Sequence, residues 1–370
     1  MLQKNNIRLL LAAAGAGKTT YIVRHASQLK NCRILVTTFT DANADQLRQK
    51  LFSSNVGCNA KIVVLPWYTF LLKEMIRPYQ GVYEKTRISS LLYTGSNRTG
   101  LYKRNDDLTQ YITKDKQIYS DKLSKFACKI DEAINGMSAI RLATIYDYLY
   151  IDEVQDMNGY DLDLLHRMAH AFKNQGHYMV MAGDVRQAAL QTHNDPKYPQ
   201  YRNGKIADFF NAEASDVGCE IDDQTLKYTW RCNQSICDVA NRLFPSYSPM
   251  ESRQEMHSDH EGVFFLRERF LHEYYDKFAP QVLRWDSKKE TIGTPMNYGQ
   301  SKGLGFHRVL LYPTTPISNW FSRQNQELND ISLCKLYIAL TRAESSVAIL
   351  LPDLYKIRDN WLNLSEWKPE

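Results

Sequence analysis

The residues best suited to do chemistry fall in two short stretches. In AAAGAGKTT (12–20), Gly15 and Gly17 allow backbone conformations closed to other residues. The N–H groups of Ala14, Gly15, Ala16 and Gly17 can therefore turn inward on a polyphosphate. Lys18 offers a point charge to terminal phosphates, Thr19 offers a hydroxyl to Mg²⁺, and Thr20 follows at the mouth of the loop. In YLYIDEVQD (148–156), paired carboxylates end an apolar run. Asp152 suits Mg²⁺, usually through water, and Glu153 suits a base that orients or deprotonates an attacking water. Together these types point to phosphoryl transfer, which needs positioning, a metal and positive charge more than covalent catalysis.

Such residues need a parallel α/β frame to hold them. The apolar run Ile7–Leu11 precedes the glycine loop, and a helix from Lys18 to about Leu29 would add its positive dipole end. Strands are expected at Arg8–Ala12, Arg33–Thr37, Lys61–Leu65, Tyr146–Ile151 and Tyr178–Ala182. Helices are expected at Ala42–Leu51, Ser120–Asn135 and Asp161–Phe172. Short apolar strands between amphipathic helices imply a parallel sheet covered on both faces. Residues 80 to about 125 are polar, rich in Lys, Arg and Tyr, and read either as a solvated excursion or as a nucleic-acid surface. A second strand–helix series begins near Leu226.

The length of 370 residues suggests two or three domains. No apolar run approaches the ~20 residues that cross a bilayer, so a cytoplasmic location is expected. LLLAAAGA after Lys4 and Arg8 is too short for a secretory leader, and Lys18 sits where a cleavage region should be neutral. The 7 cysteines contain no C-x-x-C pair, which argues for reduced structural thiols rather than disulfides or zinc. A net charge of +5 permits nucleic-acid binding without demanding it. The 23 tyrosines are a supply of stacking surfaces or of half-buried packing.

Taken in order, the motifs resemble superfamily 1 DNA helicases of the UvrD/Rep type. AAAGAGKTT is similar to motif I, TTFTDANADQL (37–47) to motif Ia, and PWYTF (66–70) to motif Ib. YIDEVQD resembles the DExQD form of motif II, and AGDVRQ (182–187) the GDxxQ of motif III. LKYTWRCNQSI (226–236) resembles motif IV, QSKGLGF (300–306) motif V and LYIALTRAES (336–345) motif VI. The resemblance implies an α/β fold of two RecA-like parallel-sheet P-loop domains with a small inserted subdomain in the first. Residues 1–79 and 140–222 would form the first core, 80–139 the insert and 223–370 the second core. ATP and Mg²⁺ would bind between the cores. The first core would bring Lys18, Thr19, Asp152, Glu153 and the γ-phosphate-sensing Gln187. The second would bring Arg231 and Arg342, with Trp230 on the adenine and Gly303 beside the nucleotide. Single-stranded DNA would meet Phe39, Thr40 and Asn43, then Trp67 and Tyr68, then Ser301 and Lys302. Tyr337 is given no role beyond packing.

The sequence also departs from that pattern. Little chain precedes the first strand, and Gln3 is a poor adenine reader. Leu190 and Thr192 stand where relatives place stacking aromatics. Gly305 and Gly299 stand where Glu and His are usual. Residues 242–299 are too short for the large accessory subdomain of full-length relatives. A 3′-to-5′ translocase or helicase on single-stranded DNA is expected. The alternatives are a DNA-gated ATPase subunit without unwinding, partnered for example by a nuclease, and an RNA helicase.

Overall fold

The computed structural model describes residues 5–54, 60–94, 99, 104, 106–188, 196–322, 327–358, 361 and 364–369. Contacts divide the chain into two compact units, one of residues 1–11, 18–185 and 191–222, the other of 12–17, 186–190 and 223–370.

In the first unit, strands β1 (Ile7–Leu11), β2 (Arg33–Thr38) and β3 (Lys61–Pro66) are followed by a short pair, β4 (Ser90–Leu92) and β5 (Gln117–Tyr119). Then come β6 (Tyr148–Asp152), β7 (Tyr178–Gly183) and β8 (Glu220–Asp222). The helices are α1 (Lys18–Gln28), α2 (Asp41–Ser54), α3 (Trp67–Phe70), α4 (Leu123–Ala133), α5 (Met137–Ile145), α6 (Tyr160–Asn174) and α7 (Ile206–Asn211). The main sheet runs β3-β2-β6-β7-β1-β8, and each pairing is parallel. Ile34–Val36, Leu149–Ile151 and Met179–Ala182 are buried from both faces, which is why they read as unbroken apolar runs. In a parallel sheet the ligand-binding edge is the carboxyl end of the strands. Here that edge carries the residues after Thr38, Asp152 and Gly183.

The polar segment after residue 80 forms the small parallel β4–β5 ladder and returns through α4. It is fastened internally by a buried carboxylate. Asp161, at 0% exposure on α6, accepts a hydrogen bond from Trp67 Nε1 at 3.0 Å and another from the hydroxyl of Ser124 on α4.

The second unit contains a two-stranded pair, β9 (Tyr228–Thr229) with β10 (Glu251–Ser252). Its main sheet comprises β11 (Gly262–Arg267), β12 (Gln281–Arg284), β13 (Met296–Asn297), β14 (Phe306–Tyr312), β15 (Ala343–Leu351) and β16 (Ser365–Glu366). Their order is β13-β12-β14-β15-β11-β16, again parallel. Helices α8 (Gln234–Leu243), α9 (Leu271–Phe278), α10 (Thr315–Ser322) and α11 (Asp330–Leu340) complete it. Leu266, Tyr274, Val282, Leu310, Ala348 and Trp367 form one buried cluster. The expected fold class, two parallel α/β sheets, is what the chain adopts. Residues 242–299 are taken up by β10 to β13 and α9 of the second unit. Among the described residues no helix is long and apolar enough to cross a membrane. The described cysteines are free thiols; Cys58, Gln3, Leu190 and Thr192 lie outside the described residues.

His260 adds a pH dependence to the second unit. Its ring lies between Phe264 at 4.4 Å and Phe278 at 4.0 Å, and Nε2 meets Tyr274 Oη at 3.0 Å. Burial, with Arg308 and Lys277 nearby, lowers its pKa to about 4 from the ordinary 6.5. The unfolded chain therefore takes up this proton first as pH falls. The stabilisation is complete above about pH 6.5 and is lost towards pH 4. Melting temperatures recorded across that window should fall less steeply for His260→Phe than for the wild type. Equal slopes would mean that His260 does not titrate on unfolding.

Candidate active site

In the first unit, the end of β6, the end of β7 and the start of α1 bring four charged groups together. Lys18 Nζ pairs with Glu153 at 3.4 Å, and Thr19 Oγ1 donates to Asp152 Oδ2 at 3.1 Å. Burial alone draws the Lys18 pKa down, but Glu153, Asp152 and Asp184 outweigh it and hold the value above the ordinary lysine range. Lys18 is thus an ammonium at any physiological pH. Asp152 is pushed up to about 6 by burial and by the charge of Glu153, while Lys18 and Thr19 pull it down.

Glu153 stands at φ +60, a left-handed conformation that costs a residue with a side chain about 1–3 kcal/mol. Gln155 holds it there. Its Nε2 donates to Glu153 Oε2, and its Oε1 accepts from the Asp184 N–H at 3.1 Å. A Cβ at Gly183 would lie 2.5 Å from Gln155 Oε1, so a side chain at this strand end would displace the Gln155 amide. One buried amide therefore ties YIDEVQD to AGDVRQ, a link that neither motif discloses alone. The Thr19 hydroxyl and Asp152 carboxylate are hard oxygen donors that fit Mg²⁺.

The loop Ala12–Gly17 groups by its contacts with the second unit. Gly15 and Gly17 have φ of +74° and +78°. A Cβ at Gly15 would stand 2.6 Å from Arg231 Cβ and 2.7 Å from Thr229 Oγ1. Ala14 and Ala16 are buried, and Thr20 is exposed. The Ala13 N–H donates to Leu226 O at 2.8 Å, and the Trp230 N–H donates to Gly15 O at 3.2 Å. The Trp230 ring is 59% exposed beside the loop. Arg231 Nη1 donates to Thr341 O at 3.3 Å. Arg342, 1% exposed, donates to Ile338 O at 3.0 Å, to Leu304 O at 3.1 Å and to Gln187 Oε1 at 3.5 Å. Gly303 is exposed at φ +88 with nothing near its Cβ position.

Tyr337 does pack, at 0% exposure, but its Oη also accepts the Ala14 N–H at 3.3 Å. Arg186 lies over the Tyr337 ring at 5.2 Å and donates to Ala12 O at 3.1 Å. The Glu344 carboxylate stands 3.3 Å from the Cβ position of Gly305, and Arg231 Nε stands 3.6 Å from it. The second unit thus carries a carboxylate beside Gly305, the position where the resemblance would place Glu.

Among the expected nucleic-acid residues, Trp67 and Ser301 are corrected. Trp67 is fully buried, tilted against Phe70 at 5.3 Å, and has no ring face for a base. Ser301 is fully buried and donates to Tyr298 O at 2.7 Å, which closes a turn rather than holding a phosphate. Thr40 is exposed, and its Oγ1 accepts the Asn43 N–H at 3.1 Å at the start of α2. Asn43, Lys302, Phe39 and Tyr68 are half-buried. Phe39 meets Tyr68 at 5.8 Å, and Tyr68 meets Tyr93 at 6.2 Å.

A family model described as an AAA domain matches residues 1–192, more than half of the chain, and the chain belongs to that family. No curated protein matches it in sequence. Solved structures similar to it include the helicase nonstructural protein 10 of an arterivirus, at 12% identity and a TM-score of 0.45, covering 93% of this chain and 59% of that one. The same helicase in complex with DNA gives 14%, 0.46, 93% and 60%. The Pif1 helicase from Bacteroides, in complex with ADP-AlF3 and ssDNA, gives 12%, 0.38, 98% and 93%. The chain spans about three fifths of the length of the arterivirus helicase chains.

Proposed function

We propose that the chain is an ATP-dependent translocase or helicase on single-stranded DNA, moving 3′ to 5′, of the superfamily 1 type its motifs resemble. The observation that carries this reading is the Lys18–Glu153–Gln155–Asp184 constellation beside the Thr19–Asp152 pair, at the carboxyl ends of parallel strands. Lys18 holds terminal phosphates, and Glu153 takes the proton of the attacking water. Thr19 and Asp152 hold Mg²⁺, which when bound neutralises charge on the phosphates. Gln187, Arg231 and Arg342 supply polar and positive groups to the transferring phosphoryl. Trp230 stacks on the adenine, and Gly303 lies beside the nucleotide.

The test is steady-state ATP hydrolysis with and without an oligothymidylate. Stimulation by the oligomer is expected, and hydrolysis indifferent to it would overturn the reading. A second reading, a DNA-gated ATPase subunit of a larger complex that does not unwind duplex, is favoured by one feature. Residues 242–299 are used up by the second sheet and its helix α9, so they hold no accessory insertion. Displacement of a strand from a tailed duplex separates the two readings.

A further inference from the structure

The exposed ring of Tyr93 belongs to no motif, yet it continues a line of rings. Phe39 and Tyr68 meet edge to face at 5.8 Å, and Tyr68 and Tyr93 lie tilted at 6.2 Å. Burial increases inward along this line: Tyr93 is 69% exposed, while Phe39 and Tyr68 are half-buried. Burial, with Asp161, Tyr93 and Asp121 nearby, pushes the Tyr68 phenol well up, so this ring stays neutral.

Tyr93 is also held in place. It follows β4, which is laddered to β5, and the next residue is clamped. The Thr94 N–H donates to Ser120 Oγ at 3.1 Å. The Asp121 carboxylate accepts from Thr94 Oγ1 at 3.4 Å, from the Thr99 N–H at 2.9 Å and from Thr99 Oγ1 at 2.8 Å. Lys122 Nζ pairs with the same carboxylate at 3.3 Å. An exposed aromatic would ordinarily be left mobile, since no core rewards its position. Here the residue after Tyr93 is held by hydrogen bonds to Ser120 and Asp121, which lowers the ordering entropy lost on binding. Tyrosine also has few rotatable bonds to freeze.

We infer that Tyr93 is a base-stacking residue, by which the inserted segment extends the single-strand surface of Phe39 and Tyr68. The inference rests on the proposed single-strand reading and names a contact that its motifs do not. Every base has a π face, so the contact is indifferent to sequence.

The test is fluorescence anisotropy of a labelled oligothymidylate with wild type, Tyr93→Ala and Tyr93→Phe, alongside oligothymidylate-free ATP hydrolysis. Stacking of one base corresponds to a loss of roughly 5- to 150-fold in affinity for Tyr93→Ala. Tyr93→Phe, which keeps the ring, should bind like wild type, and unstimulated hydrolysis should be unchanged in both. Wild-type affinity in Tyr93→Ala would overturn this inference and leave the functional reading standing. Failure of the wild type itself to bind would overturn both. An oligouridylate in place of the oligothymidylate reports whether the same stacking serves RNA.

Discussion

Glu153→Gln should lower ATP hydrolysis by about 10²- to 10⁴-fold while leaving nucleotide binding intact, because a positioned base contributes on that order. The substitution keeps the size of the side chain and its partner Gln155, so the strained backbone at φ +60 is not disturbed. It removes the basic oxygen and the 3.4 Å pair with Lys18. Lys18 keeps Asp152 and Asp184 as neighbours and stays charged, so phosphate binding should hold or tighten. Phosphate release and equilibrium binding of a fluorescent ADP analogue measure the two effects separately. Hydrolysis within tenfold of wild type would remove Glu153 from the role of base.

Arg342→Lys should be more severe, with a loss of about 10³- to 10⁵-fold in hydrolysis if this guanidinium serves the transferring phosphoryl. The charge survives the change, but the planar fork does not. Arg342 spreads its donors over Ile338 O, Leu304 O and Gln187 Oε1, and a single ammonium cannot span them. Loss of those bonds at a site only 1% exposed will also lower the melting temperature. The kinetic signature separates the roles. A transition-state contact lowers kcat with little change in KM, whereas a purely structural residue shows the stability loss with normal kcat.

Much of this molecule is legible in its residues. The apolar runs locate β1, β2, β3, β6 and β7 to within about two residues; for the interior strands β2, β6 and β7 the reason is burial on both faces, which demands apolar residues. What stays hidden depends on juxtaposition. Trp67 and Tyr68 are adjacent aromatics, yet one is core and the other half-exposed. Helical spacing did hold that answer, since Trp67, Phe70 and Leu71 fall on one face and Tyr68 does not. No spacing would have placed Gln155 against Gly183, Glu344 beside Gly305, or the Tyr337 hydroxyl on the Ala14 amide. Each of those contacts joins parts of the chain that only the fold brings together.

The buried carboxylate of Asp161 bears on how this chain can be edited. It receives the indole of Trp67, just before the insert, and the hydroxyl of Ser124, on the helix that leads out of it. The excursion is therefore tied into the frame at its exit, on a carboxylate that the frame's own Trp67 also binds. Excising residues 80–139 would remove Ser124 and leave the buried Asp161 carboxylate short of one donor. The insert is closer to a keystone than to an ornament, and a minimal version of the first unit has to be drawn around it.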